Sequence, residues 1–312
     1  MADFSIITPV LNQVSTIQTC IDSVASQNVN VEHIIIDGGS TDGTVEVIRA
    51  NQDKLTYWIS ESDLGQSNAI NKGLNKANGT WFNWLNSDDK LSPNALQTVI
   101  QLAKDETQVV AGKCEHVDTE GNVIESGTAR IWESTEATLG NYSMGQPSVF
   151  YRTKFVEELG GLNEELHLCL DMDLWFRFLC KNGIQNIVST DKTFSQFLIH
   201  KYSKSSLHTK QMRSDKYGIY KALLEEMDLN DALKEFFTHY DIPPGVSYDT
   251  VYLKMNEVVS NFAWHLLVDA YGEKDFDRVN SLLKTVSKGS RLSFREKLTW
   301  ESRLMATRIL KK

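Results

Sequence analysis

The first hundred residues alternate between short apolar runs and helical patterns, and this alternation limits the fold more than any other feature. Four runs have the composition of β-strands: residues 4–8, 31–36, 56–60 and 81–85. Pro9 is expected to end the first strand. The run at 31–36 is rich in β-branched residues and almost continuously apolar, which favours a parallel strand covered on both faces. We therefore predict a doubly wound α/β sheet with right-handed crossovers.

Polar residues follow each of the four predicted strands. They are Thr8 with Asn12, residues 37–40, residues 61–66 and residues 86–89. Ligands of doubly wound sheets bind beyond the carboxyl ends of the strands. We therefore expect these four clusters to border one crevice.

The rest of the chain divides into a mixed part and a helical part. Residues 108–200 combine strand patterns with a helix that carries Asp173, Trp175 and Phe178. After about Ser205 helical patterns dominate, interrupted by a Pro-Pro-Gly break at 243–245. We predict a catalytic domain over 1–205 and a helical region over 206–312.

Composition excludes several classes of protein. With 41% apolar and 23% charged residues, the chain is neither disordered nor fibrous. It has no run of the ~18 apolar residues that a membrane span requires and no pattern typical of a signal peptide. Four cysteines without metal-like spacing favour a reduced, cytoplasmic setting. A net charge of −9 argues against a general nucleic-acid binder.

The C-terminal segment is basic although the chain as a whole is acidic. From Arg278 to Lys312 there are ten Lys or Arg and two acidic residues, a balance of +8. Apolar residues recur there at helical spacing: Phe294, Leu298, Met305 and Ile309. A basic amphipathic helix of this kind could lie on an anionic membrane. The alternative is that it packs on the catalytic domain or on another subunit.

Three acidic motifs could carry chemistry. The carboxylate of Asp37 could bind a ligand hydroxyl or N–H, or it could form an Asx turn before a helix capped by Thr41 or Asp42. The adjacent Asp88 and Asp89 could share Mg²⁺ or Mn²⁺ with substrate phosphates, or could cap a helix.

Asp171 and Asp173 form the third motif. On a helix these two side chains differ in direction by ~200°, so one could face a cleft as a general base. The alternative is a pair of first-turn acids. His200 follows a predicted strand and is either structural or a ligand beside the carboxylate site.

Other enzyme classes lack their motifs in this sequence. No G-x-S-x-G, H-E-x-x-H, P-loop or GxGxxG pattern occurs. Hydrolase, NTPase and nicotinamide-dependent functions are therefore disfavoured.

The order of these motifs resembles family-2 glycosyltransferases over residues 3–205. The resemblance is carried by residues 7–9, 36–44, 60–66, 71–73, 85–89, 146–148 and 171–175. It implies a GT-A fold, a mixed doubly wound sheet with a nucleotide-binding half over about 1–112 and an acceptor half over about 113–205. It also implies a nucleotide-diphosphate-sugar donor, Mn²⁺ or Mg²⁺, and inversion at the anomeric carbon.

The resemblance also implies roles for individual residues. Asp171 would be the catalytic base, and Asp88 with His200 would hold the metal. Donor binding would fall to Thr8, Pro9, Asn12, Asp37, Gly38, Ser40, Asp63, Gln66, Lys72, Asn86, Ser87 and Asp88. Three positions depart from the family pattern, because Gly38, Asn86 and Leu170 stand where many relatives carry acids.

The expected acceptor is a glycan or a lipid-linked glycan of bacterial surface polysaccharide biosynthesis, such as O-antigen, capsule or exopolysaccharide. The expected location is the cytoplasm, with peripheral contact to the inner face of the membrane through the basic helix. Two alternatives remain open. One is a sugar nucleotidyltransferase, and the other is a catalytically weak module that binds nucleotide sugars or glycans.

Overall fold

The computed structural model describes residues 2–283 except ten positions: Tyr202, Glu226, Asp228, Asn230, Glu273, Lys274, Phe276, Arg278, Asn280 and Ser281. The basic amphipathic helix predicted around Arg291 to Lys312 lies outside the described residues. Within those residues, no helix is both long enough and apolar enough to cross a membrane.

A single mixed sheet of nine strands organises the described residues. The spatial order is β3-β2-β1-β4-β8-β6-β9-β5, and β7 pairs with β6. The strands are β1 (Phe4–Val10), β2 (Val31–Asp37), β3 (Tyr57–Ser60), β4 (Trp81–Trp84), β5 (Lys90–Leu91), β6 (Val109–Val117), β7 (Val123–Thr128), β8 (Val149–Arg152) and β9 (Ile187–Leu198).

Helices cover both faces of this sheet and form the C-terminal part of the described chain. They are α1 (Ile17–Ala25), α2 (Thr44–Ala50), α3 (Gln66–Leu74), α4 (Ala95–Leu102), α5 (Thr135–Gly140), α6 (Thr153–Glu158), α7 (Leu170–Asn182), α8 (Lys204–Leu207), α9 (Thr209–Leu223), α10 (Asp231–Phe237) and α11 (Met255–Gly272).

The first half of the sheet confirms the predicted doubly wound arrangement. Strands β3, β2, β1 and β4 are parallel neighbours in that order. In β2, the side chains of Ile34 and Ile36 belong to one apolar core, whereas Ile35 belongs to a second core on the other face. Both faces of this strand are therefore buried, which explains its nearly continuous apolar composition.

Strand β1 continues through Pro9 to Val10, two residues beyond its predicted end. The carbonyl of Ile7 accepts a hydrogen bond from Leu85, directly after β4. Because alternate residues of a parallel strand face the same neighbour, Pro9 faces the side on which β4 has already ended. Its missing N–H therefore removes no bond from the ladder.

Antiparallel strands complete the sheet and make it mixed. Strand β8 pairs antiparallel with β4 and β6, and β6 runs parallel to β9. The helical extension packs on the same core through aromatic side chains. Phe176 of α7 lies 5.3 Å from Tyr220 of α9, and Tyr220 stacks on Phe262 of α11 at 4.1 Å between ring centroids.

Candidate active site

A cavity of about 810 Å³ opens beyond the carboxyl ends of the parallel strands. The ends of β1, β3 and β4 contribute residues that the sequence singled out, and the start of α7 contributes Asp171 from the acceptor half. These lining residues are Pro9, Asp63, Gln66, Asn86, Ser87, Asp88 and Asp171. The structure therefore brings two of the four predicted polar clusters, residues 61–66 and 86–89, to one space, together with Pro9 and with Asp171 of the third acidic motif.

The end of β2 is arranged differently, because the carboxylate of Asp37 is used within the chain. It accepts hydrogen bonds from the backbone N–H groups of Gly39 (3.1 Å) and Ser40 (3.0 Å) and from the hydroxyls of Ser40 and Ser60. Asp37 is fully buried and does not line the cavity. It closes the turn after β2.

The neighbouring residues Asn12 and Ser40 hold this turn against the end of β1. The backbone N–H of Asn12 donates to the hydroxyl of Ser40 at 2.7 Å, and the side chain of Asn12 accepts from the N–H of Thr41 at 2.9 Å. Gly38 lies against Asp63, since a Cβ at position 38 would sit 2.8 Å from the Asp63 Oδ2. An acid at this position would thus compete with Asp63 for the same space.

Two further predicted donor residues point away from the cavity. Thr8 is buried, and its hydroxyl lies 3.0 Å from the Nε2 of His33 and 3.6 Å from the sulfur of Cys20. Burial lowers the pKa of His33 to about 3, so this imidazole is neutral. Lys72 forms an ion pair with Glu61 at 2.7 Å.

A chain of hydrogen bonds crosses the floor of the cavity at Asn86. Lys204 of α8 donates to the Gln66 side chain at 2.8 Å, and Gln66 donates to the Asn86 Oδ1 at 2.7 Å. Asn86 donates in turn to Asp89 at 3.1 Å. An amide at position 86 both accepts and donates here, which a carboxylate could not do.

Asp88 and Asp89 have separate environments although they are adjacent in sequence. Asp88 lies on the cavity wall, and its Oδ2 is 3.1 Å from the Nε2 of His200. Asp89 is buried and accepts a hydrogen bond from the N–H of Leu198. Burial, and then the negative charge of Asp88, raise the pKa of Asp89 well above its usual value.

Asp171 and Asp173 point into different environments, as their spacing on a helix predicts. Asp171 faces the cavity and accepts a hydrogen bond from the Tyr142 hydroxyl at 2.8 Å. Burial raises its pKa, and the bond from Tyr142 opposes that rise. Asp173 is buried instead, where it pairs with Arg177 at 2.8 Å and accepts from Tyr248 at 3.0 Å.

Comparison with known proteins identifies the family. A model of glycosyl transferase family 2 matches residues 5–156. An uncharacterized glycosyltransferase of Rickettsia felis is 28% identical over 187 residues, which cover 56% of this chain and 31% of the relative. A PGL/p-HBAD biosynthesis glycosyltransferase of Mycobacterium tuberculosis is 29% identical over 184 residues, which cover 56% of this chain and 68% of the relative. The chain carries a glycosyl transferase family 2 domain over residues 5–156.

Solved structures support the same fold for this family-2 chain. S. aureus TarS 1–349 in complex with UDP-GlcNAc matches with a TM-score of 0.58 at 18% identity, over 92% of each chain. A mannosyltransferase from Pyrobaculum calidifontis in complex with GDP-Man and Mn²⁺ matches with a TM-score of 0.54 at 15% identity, over 99% of this chain and 86% of that one. These likenesses show a GT-A-type fold. The matched part of the chain spans about a third of the Rickettsia felis relative's length.

The family-2 site offers a carboxylate and an imidazole for a divalent cation. Within the described residues, no group of three or more His, Cys, Asp and Glu is placed to hold a metal. Asp88 and His200 form a pair instead, with side chains 19% and 15% exposed. A cation that takes one or two protein ligands and completes its shell with substrate phosphates fits such a pair. Mn²⁺ accepts both oxygen and nitrogen ligands.

Sequence reasoning missed four residues that line the first cavity, and also missed Tyr142, which holds the Asp171 carboxylate from the side of a neighbouring space. Tyr142 carried no signal, because the segment before β8 has no recognisable pattern. Gln146 was part of a family motif without an assigned role, and its side chain donates to the carbonyl of Trp84 at 2.7 Å. Lys204 follows His200 by four positions, and no role was predicted for it from the sequence. His116 and Glu125, paired at 2.6 Å, come from β6 and β7.

A second cavity of about 700 Å³ adjoins the first on the far side of Asp171. Residues that line both spaces separate them: Met144, Cys169, Asp171 and Met212. Cys169 precedes α7 with a φ of 54°, a left-handed conformation that is uncommon for a residue other than glycine or asparagine. This tight turn places the Asp171 carboxylate on the boundary between the two cavities.

Proposed function

We propose that this chain transfers a hexosyl or N-acetylhexosaminyl group from a nucleoside-diphosphate donor to an acceptor hydroxyl, with inversion of configuration. One observation carries the proposal. A single cavity presents Asp88, which contacts His200, on one wall and the Asp171 carboxylate on another. The first suits a cation and a diphosphate, and the second suits a general base.

In this mechanism Asp171 accepts the proton of the acceptor hydroxyl as that oxygen attacks the anomeric carbon. The attack comes from the face opposite the leaving diphosphate, so a single displacement inverts the configuration. Burial makes the carboxylate more basic than it is in water, because it raises the pKa of Asp171. The hydroxyl of Tyr142 holds one carboxylate oxygen, Oδ2, and leaves the other for the substrate.

Residues at the strand ends would hold the donor. We propose that Pro9, Asp63, Gln66, Asn86 and Ser87 contact it directly, since they line the cavity. The other residues implied by the family resemblance would act by shaping this wall: Thr8, Asn12, Asp37, Gly38, Ser40 and Lys72. The contact of Gly38 with Asp63 supports this indirect role for the turn after β2.

Asp88 and His200 would hold Mn²⁺ or Mg²⁺ beside the diphosphate. The cation would supply positive charge where negative charge develops on the leaving group. The charge repulsion between Asp88 and Asp89 supports this assignment, because a cation at Asp88 would relieve it. The Asp88 carboxylate also lines the cavity, where a diphosphate could reach the bound cation.

The proposed pathway is the biosynthesis of a bacterial polysaccharide or glycolipid, with a glycan or lipid-linked glycan as acceptor. The name of the Mycobacterium tuberculosis relative supports a glycoconjugate pathway. We also propose that residues 1–205 form the catalytic domain, with the nucleotide half before about residue 112. Peripheral attachment to the inner face of the membrane stays a proposal that depends on residues 284–312.

Calorimetry with UDP and GDP, with and without Mn²⁺, tests the donor and metal assignments. We expect Mn²⁺ to tighten binding of one of the two nucleotides in the wild type, and Asp88→Ala to abolish this effect. Asp118→Ala is the matched control, because Asp118 lies in the exposed turn between β6 and β7. A nucleotide affinity that changes neither with Mn²⁺ nor with Asp88→Ala would contradict the metal site. Failure to bind either nucleotide would contradict the donor class.

Asn86 favours a second candidate function, that of a module that binds nucleotide sugars and turns them over weakly. Asn86 contributes no charge, and its amide is engaged by Gln66 and Asp89. Hydrolysis of a panel of nucleotide sugars to the nucleoside diphosphate separates the two functions. Turnover supports the transferase, and tight binding without turnover supports the module. Formation of a nucleotide sugar from a nucleoside triphosphate and a sugar phosphate would instead indicate a nucleotidyltransferase.

A further inference from the structure

The second cavity has a different character from the donor cavity. Its walls come from the segment before β8, from the start of α7 and from the helical extension, mainly α9. Two cationic side chains line it, Arg213 and Lys216, and neither lines the donor cavity. The carboxylate of Asp171 lines both spaces. A molecule in the second cavity would therefore reach the proposed base from the side opposite the donor.

The two cations lie on one face of α9. Positions three apart on a helix are neighbours, so Arg213 and Lys216 present their charges together. The guanidinium carbon of Arg213 is 5.8 Å, and the Nζ of Lys216 is 5.9 Å, from the ring centroid of Tyr217. Lys216 Nζ also lies 3.1 Å from the Nε2 of His265 on α11. A lysine ammonium group only donates hydrogen bonds, so the imidazole nitrogen is the acceptor when Lys216 is charged.

The rest of the wall suits the body of a sugar rather than another charged group. Tyr142 and Tyr217 contribute aromatic surface, and Met144, Met172 and Met212 contribute flexible apolar surface. Aromatic rings with polar hydroxyl tips commonly contact amphipathic ligands. Among the described residues that line this cavity, Asp171 is the one that carries a carboxylate. Asp215 beside Lys216 accepts a hydrogen bond from Gln211 at 2.7 Å. The described residues that line this cavity thus include two basic side chains, Arg213 and Lys216, and one acidic side chain, Asp171.

We propose that the second cavity binds the acceptor, and that Arg213 and Lys216 recognise an anionic group on that acceptor. The inference rests on the proposed transfer reaction and goes beyond it, because it assigns the helical extension a role in choosing the substrate. The acceptor class is a sugar or polyol that carries a phosphate or a carboxylate near the hydroxyl that reacts. Asp171 then lies between the two substrates, with the donor on one side and the anionic acceptor on the other.

Saturation-transfer NMR and calorimetry with three probes test this proposal: glucose 6-phosphate, glucuronate and glucose. The probes share a pyranose ring and differ in charge. The first two distinguish recognition of a phosphate from recognition of a carboxylate. Each is titrated at millimolar concentration into the wild type, Arg213→Gln and Lys216→Gln. Lys210→Gln is the matched control, since Lys210 is an exposed residue of α9 that does not line the cavity.

We expect at least one anionic probe to bind the wild type and Lys210→Gln equally, and to bind Arg213→Gln and Lys216→Gln about tenfold more weakly. This magnitude corresponds to the loss of one charge-assisted hydrogen bond. Glucose should bind all four proteins alike. Equal binding of the anionic probes by all variants, or no preference for them over glucose, overturns the proposal.

A parallel titration with UDP and GDP separates this proposal from the proposed function. Arg213→Gln and Lys216→Gln should bind the nucleotide as the wild type does, because neither residue lines the donor cavity. Loss of nucleotide binding in these variants would overturn the separation of the two cavities. Arg213 is exposed, so Arg213→Gln should keep the melting temperature of the wild type and exclude misfolding as a cause.

Discussion

At the scale of single residues, the surroundings of the Asp171 carboxylate change its pKa in opposite directions. Burial raises the pKa by removing water, and the hydroxyl of Tyr142 lowers it by donating to the charged form. Burial thus makes the carboxylate a stronger base, and the bond from Tyr142 limits that increase. The hydrogen bond can be removed by substituting Tyr142, and the carboxylate itself by substituting Asp171.

Replacing Asp171 with asparagine should remove the base without changing the shape of the site. We expect turnover to fall by at least ~10²-fold, the lower end of general-base contributions. Nucleotide affinity should change little from the wild type, because the donor contacts lie on the opposite wall. Initial rates and calorimetry measure the two effects. The matched control is Asp191→Asn, because Asp191 lies on the exposed part of β9. Asp173→Asn would be unsuitable, because Asp173 forms an ion pair with Arg177.

The same substitution should increase stability at neutral pH. A carboxyl whose folded pKa is raised stabilises the protein below its unfolded pKa, and that stability is lost as the pH rises through the folded value. The neutral amide introduced by Asp171→Asn has no such pH-dependent cost. We expect a higher melting temperature than the wild type at about pH 8, and a difference that shrinks toward about pH 4. A difference that grows as the pH falls would show that the pKa of Asp171 is lowered rather than raised.

Removing the hydroxyl in Tyr142→Phe should raise the pKa of Asp171 further, because the charged form loses a donor. The acid limb of the pH–rate profile should move upward by about one pH unit, the equivalent of one hydrogen bond to a charged group. Tyr151→Phe is the control, since its hydroxyl contacts the sulfur of Met144 rather than Asp171. A purely structural role for Tyr142 would lower the rate at every pH and leave the limb in place.

At the scale of secondary-structure elements, the site depends on how closely α3 approaches the sheet. Gly73 makes this approach possible, because a Cβ at position 73 would sit 2.5 Å from the Cγ2 of Ile7 on β1. Helix α3 begins at Gln66, which reaches Asn86 across the cavity floor. The packing of one small residue therefore sets the position of a proposed donor contact.

Substituting Gly73→Ala should push α3 away from β1 and destabilise the protein by about 1–3 kcal/mol, the usual cost of overpacking a core. The free energy of unfolding in urea measures this effect. In Gly127→Ala, the added Cβ meets no atom within 4 Å, so this variant should unfold as the wild type does. A smaller cost of Gly73→Ala in an Ile7→Ala background than in the wild type would identify the contact, and an equal cost in both backgrounds would place the strain elsewhere.

At the scale of the whole molecule, the helical extension and the sheet share one apolar core. Tyr220 and Phe262 from the extension belong to the same cluster as Trp84 of β4 and Trp175 of α7. The walls of the second cavity come from both parts. The extension is therefore built into the site, and its loss would remove part of the proposed acceptor surface.

This shared core predicts a single cooperative unfolding transition. We expect circular dichroism and tryptophan fluorescence to report the same midpoint, and Phe262→Ala to lower it for both probes by the equivalent of about 3–5 kcal/mol. Phe262 is fully buried between Tyr220 and Phe237. Val251→Ala, at a position 81% exposed, should leave the midpoint unchanged. Two separate transitions would instead indicate an extension that folds independently.

The alternation of strands and helices, and the polar residues at the strand ends, could be predicted from the amino-acid sequence. These features are local: the period of apolar residues separates helix from strand, and glycine, asparagine and aspartate select the turns. The four parallel strands β1 to β4 and helix α7 therefore follow from the pattern, whereas their spatial order β3-β2-β1-β4 was seen only in the structure. The family resemblance added the roles expected of the acidic residues.

Which of these side chains meet depends instead on the folded core. Asp88 and His200 are 112 residues apart and contact each other, and no local pattern encodes that pairing. Asp37 lies within its own turn rather than on the cavity, and α9 brings Arg213 and Lys216 to the far side of Asp171. The direction of a side chain depends on the packing of elements distant in sequence, and that packing is a property of the whole core.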